Sequence, residues 1–163
     1  MSTTLYLLTP TVIGDAIRMV EPGAIGLMGA NIGKRKILAG AIRIDSRPEL
    51  DRDFWYKLDL EAETDPRFMA IGRGKAALSL REQMSTGLIV TQYPHLLLPE
   101  DPKYPGGVYK AKIAVGCSAW DSWFDEMVAW WLVEAIIART KMTFNTRVVP
   151  AAGDFINDCL SAG

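Results

Sequence analysis

His95 is the only histidine in the sequence, so any imidazole chemistry has one address. It lies between Pro94 and Leu96-Leu97-Leu98, and near neutral pH it is the one side chain suited to general-base work or to ligation of a metal through nitrogen. The bland alternative is a surface histidine in a loop. Asp121, Asp125 and Glu126 open a long apolar segment, where exposed N–H groups and the helix dipole favour carboxylates. Glu126 falls between Trp123 and Trp130, a setting that disfavours its charge and suits proton transfer, with Asp125 as the neighbouring candidate. Cys117 follows Gly116 at a strand-to-helix turn, a position that suits a nucleophilic thiol or, equally, a small buried residue. The backbone N–H groups of Ser118 and Ala119 at the same turn suit an anion or carbonyl oxygen. Lys75, Arg73 and Arg81 share one helix, and one of them pointing inward would hold a carboxylate or propionate. Trp120, Trp123, Trp130 and Trp131 form either an aromatic box for a flat ligand or a core and subunit interface.

Elements must bring these side chains together. Thr9-Pro10 is a helix start, followed by Val12, Ile13, Ala16, Ile17 and Val20 at helical spacing and ended by Pro22-Gly23. Residues 24–30 and 36–45 read as a hairpin around Asn31-Ile32-Gly33, with small residues that admit a helix or ligand. Residues 46–65 read as a charged surface excursion with a helical turn around DRDFWYKL. Asp65-Pro66 repeats the helix start, and the spacing predicts a helix to about residue 84 with the stripe Phe68, Gly72, Ala76, Leu80. Residues 85–107 carry four prolines and read as a long functional loop ending in Gly106-Gly107, which permit close backbone approach. VYKAKIAVGCS reads as one strand, and residues 119–140 as the longest helix. The tail from residue 142 reads as a short extended piece and then a final helix after Pro150.

Composition bounds the function. A chain of 163 residues, 49% hydrophobic and 23% charged, makes one globular domain, residues 1–163. A net charge of −1 gives no support to nucleic-acid binding. No apolar run reaches the roughly 18 residues of a membrane span. MSTTLYLLTP lacks the features of a secretory leader, so a cytoplasmic location is expected. Two cysteines and one histidine exclude the usual structural zinc sites.

Two stretches in order, MAIGRGKAALSLREQMST and YPGGVYKAKIAVGCSAWDSWFDEMVAWWLVEAI, resemble the GlcG/HbpS-like haem-binding family, related to the C-terminal domain of the PduO corrinoid adenosyltransferase. The family carries a Lys-Ala helix before Ser-Thr, a Pro-Gly-Gly loop, a Gly-Val-Ser-Gly turn and an acidic helix start. GAIRID at 40–45 sits where the family has a strand ending Arg-x-Asp. The resemblance covers roughly residues 9–138, while 46–65 and 139–163 have no counterpart. Leu78 stands in place of the family's usual Thr, and Ala119 in place of the last glycine of the turn. The stretch between Gly107 and that turn is short, as if one hairpin were trimmed to a single strand. The resemblance implies an α/β (α+β) profilin-like sandwich, with a central antiparallel sheet, helices on both faces and assembly into homo-oligomers. It implies a small-molecule ligand, with haem as the cofactor and His95 as the candidate metal ligand. The residues alone admit an alternative: a cofactor-free isomerase, lyase or hydrolase acting on a small organic acid or carbonyl compound by carboxylate acid/base chemistry.

Overall fold

The first helix begins as the sequence dictates, because the Thr9 hydroxyl accepts the Val12 N–H at 3.2 Å and Pro10 takes the first position. In the computed structural model, which describes residues 7–31 and 35–148, this helix, α1, runs Pro10–Ala30. It passes through Pro22 rather than stopping there, and residues 24–30 are helix, not a hairpin strand. Proline in a helix interior removes one hydrogen bond and crowds the preceding turn. Here Ala24 and Met28 continue the buried stripe begun by Val12, Ile13, Ala16, Ile17 and Val20, and that burial sustains the helix beyond the break.

The second half of the expected hairpin does form strand β1 (Ile37–Ile44). Its partner comes from the segment expected to be an excursion, where Arg52–Lys57 is strand β2 rather than a helical turn. Phe54 and Tyr56 alternate inward, and the Tyr56 hydroxyl donates to the Ile17 carbonyl at 2.7 Å, fastening β2 to α1. Gly40 lies opposite Phe54, whose ring occupies the space a Cβ would need.

Helix α2 (Pro66–Glu82) is capped by Asp65, which accepts the Arg67 N–H at 2.9 Å. The expected 85–107 loop contains helix α3 (Thr86–Gln92) and a single turn of 3-10 helix at Pro94–Leu96. The Ser85 hydroxyl caps α3 through the Leu88 N–H. Beyond it, the expected single strand is a two-residue hairpin, with β3 (Gly107–Lys110) and β4 (Ile113–Ser118) joined at Ala111-Lys112. Both turn residues have positive φ, +52° and +67°, the geometry that matches strand twist and is usually given to Asn or Gly. Helix α4 (Ser122–Thr143) follows and runs on into a π-helical turn at Phe144–Val148, so residues 142–148 are helical rather than extended. The expected helix after Pro150 and Cys159 lie outside the described residues.

The sheet is antiparallel with order β2-β1-β4-β3. Strand alternation sends Leu38, Ile42, Val115 and Cys117 to one face, where α1 and α4 cover them and the main core forms. The other face carries Ala39, Ala41, Ala114 and Gly116, and it is covered mainly by α2, with Thr86 of α3 reaching Gly107 at its β3 edge. These small residues bring α2 onto the sheet backbone. A Cβ on Gly116 would stand 2.2 Å from the Gly72 carbonyl oxygen and 2.5 Å from the Ala76 nitrogen. The result is the expected α+β sandwich, an antiparallel sheet with helices on both faces. Among the described residues no helix is long and apolar enough to cross a membrane.

Candidate functional site

Because α2 lies so close to β4, the third-turn residue Lys75 is carried to the end of the strand. Its Nζ donates to the Cys117 carbonyl at 2.8 Å and lies 3.3 Å from Asp125 Oδ2 on α4. The other carboxylate oxygen accepts the Trp120 N–H at 3.2 Å, closing the turn between β4 and α4. Both charged side chains are 3% exposed, so each depends on the other and on these hydrogen bonds. Burial raises the Asp125 carboxyl to about 6, against the opposing pull of the Lys75 ammonium and the Trp120 N–H. The balance falls to burial.

Gly106 and Gly107 run directly over this pair. Gly106 has φ +131°, donates no room to a side chain, and a Cβ there would stand 2.6 Å from Lys75 Nζ. The Gly106 carbonyl accepts the Cys117 N–H at 2.9 Å, and the Gly107 N–H reaches the Thr86 hydroxyl at 2.9 Å. The Gly-Gly pair is thus required by close approach to α2 and β4. Ala119, in the turn itself, holds φ +110°, a conformation that favours glycine.

Above the pair opens a cavity of about 680 Å³. Ser118, Ala119, Trp120, Asp121, Ser122 and Asp125 line it from the strand end and the start of α4, with Lys75 of α2 beneath them. Phe68 and Ile71 line it from the first turns of α2, with Tyr104 and Arg35 also contributing. Trp120 is held rigidly, its indole N–H donating to the Ile37 carbonyl at 2.8 Å and its ring stacked on Phe124 at 4.8 Å. The Arg35 guanidinium lies 4.4 Å over the Phe68 ring. A second cavity, of about 480 Å³, also has Arg35 and Phe68 in its wall and extends along Glu63 and Asp65.

Of the residues singled out from sequence, Lys75, Asp121, Asp125, Ser118, Ala119 and Trp120 meet at this cavity, with Gly106 and Gly107 behind them. The others do not. His95 is exposed in the turn at Pro94–Leu96, edge-on to Tyr93 with centroids 6.2 Å apart, and does not line the cavity. Among the described residues no group of His, Cys, Asp and Glu is arranged to hold a metal. The Cys117 thiol belongs to the core on the opposite face, and burial and the nearby Asp125 push its pKa well up, the reverse of an activated nucleophile. Glu126 sits beside α3, where a Cβ on Gly87 would stand 3.2 Å from its Oε2, rather than at the cavity. Arg81 grips Asp101 at 2.6 and 3.1 Å and the Leu96 carbonyl at 3.2 Å, which anchors the proline-rich segment. Trp123 is 58% exposed, with its ring edge on Phe124. Trp130 packs on the core, and Trp131 stays exposed with one edge of its ring against Gly23 of α1.

Sequence reasoning passed over Arg35, Phe68, Ile71, Tyr104 and Ser122. Phe68 was visible as part of a stripe with Gly72 and Ala76, but it lies one turn before them and lines the cavity. Arg35 carries no local signal. Comparison with protein-family models, curated proteins and solved structures finds no match for this chain.

Proposed function

We propose that this chain is a small-molecule-binding protein whose ligand occupies the cavity above Lys75 and Asp125. The observation that carries the reading is a buried ion pair at the wall of a cavity of about 680 Å³. Ligand sites are commonly roughly 300–1,000 Å³, with a few fixed polar groups among apolar walls. Here Lys75, Asp125 and Ser118 supply the polar groups, and Phe68, Ile71 and Trp120 supply the apolar surface. The segments that carry the resemblance to GlcG/HbpS-like proteins, the Lys-Ala helix, the Pro-Gly-Gly loop and the turn into α4, converge on this one place, which supports the same reading.

Haem is the cofactor that the resemblance implies, and the donor set does not fit haem held by histidine. His95 is remote from the cavity lining, and the lining contains no imidazole, thiol or thioether. The ligand is therefore assigned to the cavity without a haem-based step. The test is an indole-resolved NMR titration of the full chain with a fragment library and, separately, with haemin. Shifts centred on the Trp120 indole support the reading. Shifts confined to the Pro94–Leu96 turn, or a haemin spectrum abolished by His95→Ala, overturn it.

A second reading, a cofactor-free enzyme on a small organic acid or carbonyl compound, is favoured by the elevated carboxyl of Asp125 at the cavity wall. Of the two carboxylates considered for the proton-carrying role, Glu126 and Asp125, this reading keeps Asp125. Loss of solvent-deuterium exchange into an enolisable acid in Asp125→Asn, with Glu126→Gln unaffected, is the outcome this reading requires. The exposed rings of Trp123 and Trp131 are in keeping with homo-oligomer formation, which native mass spectrometry would test.

A further inference from the structure

We propose that Arg35 is the anion-recognising residue of this cavity and that its ligand is a small organic monocarboxylate with a flat apolar body. The inference rests on the binding reading above and names its ligand class. Arg35 lines the cavity, and its guanidinium carbon sits 4.4 Å from the centre of the Phe68 ring. A cation over a ring face is held there by the ring quadrupole, and the Arg35 guanidinium makes no hydrogen bond among the described residues. Among the described residues Arg35 has no carboxylate within ion-pairing distance, whereas Arg43, Arg73 and Arg81 each hold one. The cavity's other cation, Lys75, is already committed to Asp125 and the Cys117 carbonyl. An incoming anion therefore meets a guanidinium that feels Asp65 only at a distance and holds no carboxylate in contact, and whose fork matches a carboxylate in two parallel hydrogen bonds.

The rest of the cavity narrows the class. Phe68, Ile71 and Trp120 offer apolar surface to a ring or short chain attached to the carboxylate. Among the described residues Arg35 is the one cation of the lining not already neutralised by a carboxylate, so the cavity balances a single negative charge better than a dianion such as a phosphate monoester. A planar ligand with a single negative charge satisfies both constraints.

The test compares benzoate, benzamide and phenyl phosphate, titrated into the full chain and read at the Trp120 indole signal. Benzoate should bind about tenfold more tightly than its neutral isostere benzamide, as expected for a charge-assisted bidentate pair. Arg35→Gln should remove that preference, and Arg35→Lys, which keeps the charge but not the fork, should restore only part of it. Arg35 is exposed, so these variants should keep the wild-type far-UV spectrum and thermal midpoint. Equal binding of benzoate and benzamide, or an undiminished preference in Arg35→Gln, overturns the carboxylate assignment and leaves the cavity reading intact. Tighter binding of phenyl phosphate than of benzoate overturns the monocarboxylate class. Silence at Trp120 with all three probes overturns the inference, and the fragment and haemin titrations then decide whether the cavity reading falls too.

Discussion

Lys75 Nζ and Asp125 Oδ2 lie 3.3 Å apart at 3% exposure, and the pair joins the helix on one face of the sheet to the helix on the other. The connection passes around the end of β4, where Lys75 also holds the Cys117 carbonyl and Asp125 also holds the Trp120 N–H. One ion pair thus sets the geometry of the turn, the position of α4 and part of the cavity wall.

Lys75→Met should destabilise the protein by about 3–5 kcal/mol, because it strands a buried carboxylate without its counter-charge. The double variant Lys75→Met/Asp125→Leu should lose less than Lys75→Met alone, since no uncompensated charge is left. Equilibrium unfolding in urea measures both. A double variant less stable than the single would show that the pair acts through its other hydrogen bonds.

The folded Asp125 carboxyl is raised from 3.8 to about 6 by burial, so the folded state holds its proton more tightly than the unfolded chain. The stability tied to this proton is complete below pH 3.8 and is lost as pH rises through about 6. Asp125→Asn should flatten this descending component in thermal midpoints taken between pH 4 and 7. A carboxyl-carbon NMR titration of Asp125 should show a midpoint near 6.

Ala119→Gly should stabilise the fold. An L residue at φ +110° carries strain of about 1–3 kcal/mol. The added freedom of glycine in the unfolded chain offsets about 0.4–1 kcal/mol of the relief. A net gain near 1 kcal/mol would raise the melting temperature by about 2–4 °C. An unchanged or lowered midpoint by calorimetry would show that the methyl group makes compensating contacts in the turn.

Gly116→Ala and Gly26→Ala should move in opposite directions. The first sets a methyl 2.2 Å from a backbone carbonyl of α2, which can yield only if the helix lifts from the sheet. Overpacking of this kind costs about 1–3 kcal/mol and more where backbone must shift. Gly26 is exposed in α1 and a Cβ there meets nothing within 4 Å, so alanine should gain up to about 1 kcal/mol of helix propensity. Denaturation midpoints of the two variants provide the comparison.

What the sequence determined by itself was the content of short windows. Thr9-Pro10 and Asp65-Pro66 announce two helices through caps that operate within one turn. The apolar runs of β1, β4 and α4 follow from periodicity, and residues of the segment 118–125 line the wall of the largest described cavity, around Lys75. Signals that depend on partners were invisible in the same windows. Pro22 reads as a stop until Ala24 and Met28 find a core to bury against. Arg52–Lys57 reads as charged surface until β1 offers it an edge, and Ala111-Lys112 has none of the residues that normally mark a tight hairpin turn. The site divides in the same way. Lys75 and Asp125 stood out as charges on helices, but their contact required α2 and α4 to meet around the end of β4. Only the tertiary structure left His95 out of the cavity lining, turned the Cys117 thiol into the core and brought Arg35 and Phe68 to the cavity, because sheet order and helix layering bring together residues that no local rule relates.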